Sequence, residues 1–136
     1  MGTIAILMLS TVQAAQAPVV VAIPVKQEVK EVEELTVDQM VYKYAEQYNV
    51  SPTLMFKIMN CENTGRIPTL QSGLRYTVDH PEWGVKAGDR ELSYGLVQIH
   101  LPSHPTVTYE QATDPEFSVE FLAKGLVSGV RWSCNK

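Results

Sequence analysis

The sequence predicts a mainly α-helical domain with one small, loop-rich insertion that carries a β-hairpin. Three observations predict it. Apolar residues recur at steps of three and four around positions 37–48, 54–59 and 117–126, the spacing of a single helix face. A cap signal stands before each of these segments. Between the second and the third, residues 63–92 hold glycines at 65, 73, 84 and 88 and prolines at 68 and 81, the composition of turns.

The first helix is expected from Thr36, which has capping-box spacing to Gln39. Val37, Met40, Val41, Tyr44, Ala45 and Tyr48 form its apolar stripe, and Asn49-Val50 ends it. Ser51 then caps a second helix with Pro52 at its first position. Leu54, Met55, Ile58 and Met59 make its apolar face, and it runs to about Glu62. Within the insertion, "LRYTV" is a candidate strand. Residues 93–99 turn apolar again, and "HLPSHP" reads as a turn. Thr108 and Gln111 are placed to cap a short helix. Asp114-Pro115-Glu116 starts a longer one, carrying Phe117, Val119, Phe121, Leu122 and Leu126 and closed by Gly129.

Upstream of that domain the chain changes character. Residues 4–9, "IAILML", are continuously apolar and are followed by small residues that include Ala15-Gln16-Ala17. That order resembles a secretory signal peptide over residues 1–17, although no lysine or arginine precedes the apolar run. Val12-Gln13-Ala14 offers a second cleavage position, and a mildly apolar tail is the plainer alternative. The run is far shorter than the roughly 20 residues that span a bilayer, so no stable membrane span is expected. Residues 18–35, "PVVVAIPV" and then a charged stretch, read as a spacer. The domain is expected over residues 36–136, in a protein exported to the periplasm, the cell wall or the exterior.

The formal net charge is -4, and residues 1–35 hold two lysines against four glutamates. The rest is nearly neutral, with nine basic and eleven acidic residues from Thr36 onward. A nucleic-acid partner is not expected, because such binders carry a basic stripe for phosphates. Cys61 and Cys134 are the two cysteines, too few for a four-cysteine zinc site. In an exported protein they read as one disulfide, and two free thiols are the alternative. A bond between them closes a loop of about 70 residues, worth roughly 4 kcal/mol by chain entropy.

Two stretches carry candidate chemistry. In "IMNCENTGR" an apolar helix stops at Glu62, which shares a face with Met55, Ile58 and Met59 at spacings of seven, four and three. A carboxyl at the edge of an apolar stripe and at a helix C-terminus is held towards its neutral form, by desolvation and by the helix dipole. A neutral carboxyl near pH 7 is a proton donor; the alternative is a solvated glutamate at a helix end. About 30 residues on, "SYGLVQIH" sets Gly95, which permits close backbone approach, beside Gln98, one amide among Leu96, Val97 and Ile99. An apolar strip with one amide suits the apolar face and hydroxyl edge of a sugar.

In order and spacing, the helix "TLMFKIMNCEN" ending at Glu62 and the later "SYGLVQI" resemble the lysozyme-like superfamily, nearest to the lytic transglycosylase domains of bacteria and phages. Gly95-Leu96-Val97-Gln98 is similar to the family's Gly-Leu-Met-Gln motif, and "HPTVTYEQATDPEFSVEFLAKGL" resembles the helical part that follows it. The resemblance covers residues 38–134. It implies an α+β lysozyme-like fold whose insertion lines a glycan cleft. It further implies Glu62 as the catalytic acid and base, substrate contacts from Ser93, Tyr94, Gly95, Leu96 and Gln98, and peptidoglycan strands as partner. The implied reaction breaks the bond between N-acetylmuramic acid and N-acetylglucosamine and leaves a 1,6-anhydro product, in a monomer without cofactor or metal. The chain departs from the family at Asn63, where serine is usual, and in lacking the family's tyrosine in an alanine-rich helix; Tyr109 stands too early.

Two rivals share the fold. A muramidase hydrolysing the same bond needs a second carboxylate, and Asp79, Glu82, Asp89 and Glu91 are the candidates in the insertion, none singled out by spacing. A non-catalytic glycan-binding or assembly module is the other. His100 and His104 have the i, i+4 spacing of a zinc pair, but Pro102 between them opposes a regular helix. Trp132, beside Cys134, reads as core, whereas Trp83 in its turn-rich loop is as consistent with sugar stacking as with packing.

Overall fold

A computed structural model describes residues 12–24 and 33–135. The chain forms two units, Met1–Val32 and Glu33–Lys136. In the first, residues 12–24 have no regular secondary structure, and Val12, Val19, Val20, Val21 and Ile23 are exposed. The apolar run 4–9 and most of the charged stretch lie outside the described residues. No helix among the described residues is long and apolar enough to cross a membrane.

The second unit is mainly helical with a small two-stranded antiparallel sheet. Helix α1 (Val37–Tyr48) starts at Thr36 with both bonds of a capping box to Gln39, and it ends where Asn49 turns left-handed at φ 52°. The asparagine tolerates that conformation better than a branched residue. Helix α2 (Pro52–Glu62) starts at Ser51, whose Oγ accepts from the Leu54 N–H, with proline at a position that needs no donor. Helix α3 (Tyr109–Thr113) has a second capping box, from Thr108 and Gln111. Helix α4 (Pro115–Val127) starts at Asp114, whose Oδ1 accepts from the Phe117 N–H at 2.7 Å.

The stripes meet in one core. Met40, Val41, Tyr44 and Ala45 of α1 join Met55, Ile58 and Met59 of α2 and Val119, Leu122 and Ala123 of α4. Each fully buried large side chain contributes about 1.5–3 kcal/mol. Two tyrosines of α1 reach across to α4, Tyr44 Oη donating to Glu116 at 2.8 Å and Tyr48 Oη to Glu120 at 2.6 Å. Trp132 is core, at 8% exposure, as expected. Its indole occupies the space beside Gly125, where an added Cβ would stand 3.2 Å from Cζ2. A mid-helix glycine costs about 1 kcal/mol, and here it makes room for the ring.

The insertion differs from its expected form. "LRYTV" is not a strand: Arg75 makes one isolated bridge to Arg90, and Leu74 and Val78 are exposed. The expected hairpin exists as three separate antiparallel bridges, Gln71 with Tyr94, Arg75 with Arg90 and His80 with Val85. They keep one register, since each step forward on one limb equals the step backward on the other. Backbone bonds between Tyr76 N and Asp89 O (2.9 Å) and between Glu91 N and Leu74 O (2.9 Å) fill the intervals. The regular sheet lies just past this segment, where β1 (Ser93–Tyr94) pairs with β2 (Ile99–His100) around the "GLVQ" turn.

Candidate active site

Helix α2 ends with Glu62 facing a cleft of about 1010 Å³. Gln71, Ser72 and Leu74 line it from one limb of the insertion, and Glu91 and Ser93 from the other. Gln98 and His100 also line it, as do Phe121 and Gly125 of α4 and Trp132. That volume is at the upper end for small-molecule sites and accommodates a segment of polymer.

Glu62 is partly buried. Burial pushes its carboxyl above the usual carboxylate range; the nearby Cys134 backbone pulls the other way, and the charge of Glu91 adds to the rise. Cys134 is held there by a disulfide to Cys61, with the two Cα atoms 5.9 Å apart. The pairing therefore fastens the C-terminal segment beside the acid as well as closing the long loop.

Of the residues expected to touch substrate, Ser93 and Gln98 line the cleft. Leu96 does not: it is fully buried in the helical core. Gly95 is also internal, at φ 88° and against Ala112 and Ser118, so its part is to bring backbones together. Tyr94 sets its ring edge-on to Tyr109 at 5.0 Å, on the α3 side, and neither tyrosine lines the cleft. The "SYGLVQI" stretch thus supplies four cleft residues, Ser93, Val97, Gln98 and Ile99, and three that do not line it, Tyr94, Gly95 and Leu96.

Asn63, where the resembling family has serine, is fully buried. Its Nδ2 donates to Ile67 O at 2.7 Å and to Gly95 O at 3.2 Å, and its Oδ1 accepts from the Ile67 N–H at 3.0 Å. Gly95 O also accepts from Gln98 Nε2 at 2.9 Å, and that amide donates to Leu70 O at 3.2 Å. Two side-chain amides therefore converge on one carbonyl and lock the end of α2 to the turn that carries Gln98. Gln98 itself stands left-handed, at φ 52°. Its Oε1 accepts no hydrogen bond among the described residues and is free for a ligand donor.

The four insertion acids separate once folded. Asp79 Oδ1 accepts from the Ala87 N–H and Asp89 Oδ2 from the Lys86 N–H, each at 2.8 Å, so both serve turns. Glu82 pairs with His80 at 3.1 Å. Glu91 alone of the four lines the cleft with Glu62, held loosely by Ser93 Oγ at 3.4 Å and Ser72 Oγ at 3.5 Å. Its selection is tertiary: the constant register of the insertion carries it to the cleft wall, and no local pattern marks it.

The histidines are engaged separately. Tyr76 Oη accepts from the Leu92 N–H at 3.2 Å and shares a hydrogen bond with His100 Nε2 at 3.0 Å. His100 Nδ1 shares a hydrogen bond with Ser103 Oγ at 2.8 Å. Burial lowers the His100 pKa, against the charge of Glu91. His104 meets the Phe121 ring edge-on at 5.0 Å. Among the described residues no three His, Cys, Asp or Glu side chains gather as a metal site.

No protein-family model, no curated protein and no solved structure matches the chain.

Proposed function

We propose that the chain is a peptidoglycan lytic transglycosylase of lysozyme-like fold, acting outside the cytoplasm. The observation that carries this reading is Glu62, partly buried at a helix end, its carboxyl raised by desolvation, in a polymer-sized cleft beside Gln98. Neutral Glu62 donates its proton to the glycosidic oxygen as the bond from muramic acid C1 to that oxygen breaks. The resulting carboxylate takes the proton of the same sugar's 6-hydroxyl, whose oxygen closes on C1. Glu62 ends protonated again, and the strand ends in a 1,6-anhydro sugar. The disulfide fits an oxidising compartment.

One observation favours a second reading, hydrolysis. Glu91 shares the cleft and is near enough for its charge to act on Glu62, as a second carboxylate must be. Mass spectrometry of the products released from purified peptidoglycan separates the two: 1,6-anhydro ends support the transglycosylase and reducing ends the muramidase. No release by wild type, with strands still bound, would leave a non-catalytic module.

Glu91→Gln tests the same point by pH. Removing the neighbouring charge lets Glu62 ionise more easily, so its pKa falls and the alkaline limb of the activity profile moves to lower pH. A transglycosylase keeps its rate on the acid side of that limb. A muramidase loses about 10²-fold or more throughout. An unmoved limb would mean that the two carboxylates do not interact.

A further inference from the structure

The tip of the insertion carries a large ring that its neighbours brace without burying. Pro81–Trp83 forms a single 3₁₀ turn, closed by left-handed Gly84 at φ 70°. The turn sits between His80 and Val85, whose backbones bond in both directions at 2.9 and 3.2 Å. Trp83 is therefore fixed at the end of a hairpin in register. It remains 36% exposed, whereas Trp132 is 8% exposed.

Three rings stand against Trp83. His80 stacks on it at 4.4 Å with the planes 17° apart, His100 meets it at 5.4 Å and 78°, and Tyr76 lies tilted at 6.0 Å. The hydrogen-bonded run from Leu92 through Tyr76 to His100 and Ser103 fixes the rings behind it. An indole offers a large apolar area at little entropic cost when its two torsions are already set. Collapse onto the core would have hidden that area; the braced turn holds part of it in solvent.

The position relates it to the cleft. His100, which touches Trp83, is itself a cleft-lining residue two positions after Gln98. The indole itself does not line the cleft; it stands against the cleft wall through His100. Its rim is polar, since His80 Nδ1 and Glu82 Oε1 lie 3.1 Å apart. An apolar face with hydrogen-bonding groups at its border matches a pyranose ring, which has C–H groups on one face and hydroxyl and acetamido groups around its edge. We infer that Trp83 is a stacking platform for one N-acetylated sugar of the strand held in the cleft, an inference that rests on the glycan-cleaving reading.

The experiment uses the full chain with Glu62→Gln, so that ligand is not consumed, and N-acetylglucosamine oligomers of two to six rings as probes. Calorimetric titration compares this parent with the same chain carrying Trp83→Ala or Trp83→Tyr. The expected result is a loss of about tenfold for the longest oligomers with alanine, the scale of one aromatic contact. Tyrosine should recover most of it, and the shortest oligomers should lose nothing. Because the chain has two tryptophans, the unsubstituted parent also gives a readout that needs no change at Trp83. The indole resonance of Trp83 should shift with long oligomers and stay still with short ones. Equal affinities for parent and alanine variant at every length, with a static Trp83 resonance, would overturn the platform and leave the cleft reading standing. No binding of any oligomer by the parent would overturn both.

Discussion

Glu62→Gln is expected to lose peptidoglycan cleavage by about 10²–10⁴-fold, the usual contribution of a positioned acid and base, while melting at a higher temperature than wild type at neutral pH. The two effects have one cause. Glu62 is placed where its charged form is poorly solvated, and Glu91 repels that form further. Its pKa in the folded chain is therefore above its unfolded value. For an acid with a raised pKa, the stabilising contribution is fully present below the unfolded pKa and is lost as pH rises through the folded one. At neutral pH the folded site opposes an ionisation that the unfolded chain allows, and that difference weighs against folding. Glutamine has nearly the same shape and carries no charge to desolvate, so it removes that penalty together with the proton donor. The gain in melting temperature should disappear near pH 4, where wild type is protonated as well. Thermal melts at the two pH values, beside rates of product release, check both halves. A variant that cleaves like wild type would remove Glu62 from the chemistry. One that is inactive but no more stable at neutral pH would show that the site carries no desolvation penalty.

The helices were legible because their signals are local. Thr36 with Gln39, Ser51 with Pro52 and Asp114 with Pro115 each satisfy helix-end donors within one turn. The stripes that follow need only the helical period. The placing of Glu62 was legible for the same reason. The insertion was not, because its register is kept by backbone pairings between positions 5 to 23 apart, with side chains that alternate irregularly. Glu91 looks like Asp79, Glu82 and Asp89 until those limbs close. Leu96 misled in the opposite sense. It lies between Gly95 and Gln98, both of positive φ, and a chain that reverses so tightly does not keep the alternation of a strand. Its side chain joins the core while Gln98 meets the cleft. Asn63 shows the same limit, since its role depends on the Gly95 carbonyl, 32 positions away.

Gly95→Ala should be the most damaging single methyl in the protein. An added Cβ at Gly95 would stand 1.9 Å from Ala112 O, 3.1 Å from the Ala112 carbonyl carbon and 2.9 Å from Ser118 Oγ. None of these yields easily. Ala112 and Ser118 are both fully buried, and Ser118 Oγ donates to Ala112 O at 2.8 Å across the junction of α3 and α4. The glycine is equally fixed, with its N–H on Leu70 O at 3.0 Å and its carbonyl shared by Asn63 and Gln98. Either α3 moves away from the turn or the turn moves away from α3, and the second course pulls on both side chains that hold the end of α2 to Gln98. The expected loss is about 5 kcal/mol, in the range reserved for core disruption, or failure to fold. Gly129→Ala separates the methyl from the dihedral. Its φ is 74°, similar to the 88° of Gly95, but nothing lies within 4 Å of its added Cβ. It should lose only the 1–2 kcal/mol of a left-handed alanine and keep full cleavage. Chemical denaturation of the two variants decides the matter. Equal losses would assign the whole effect to backbone strain, and the close approach of the turn to α3 would then carry no weight in positioning the acid.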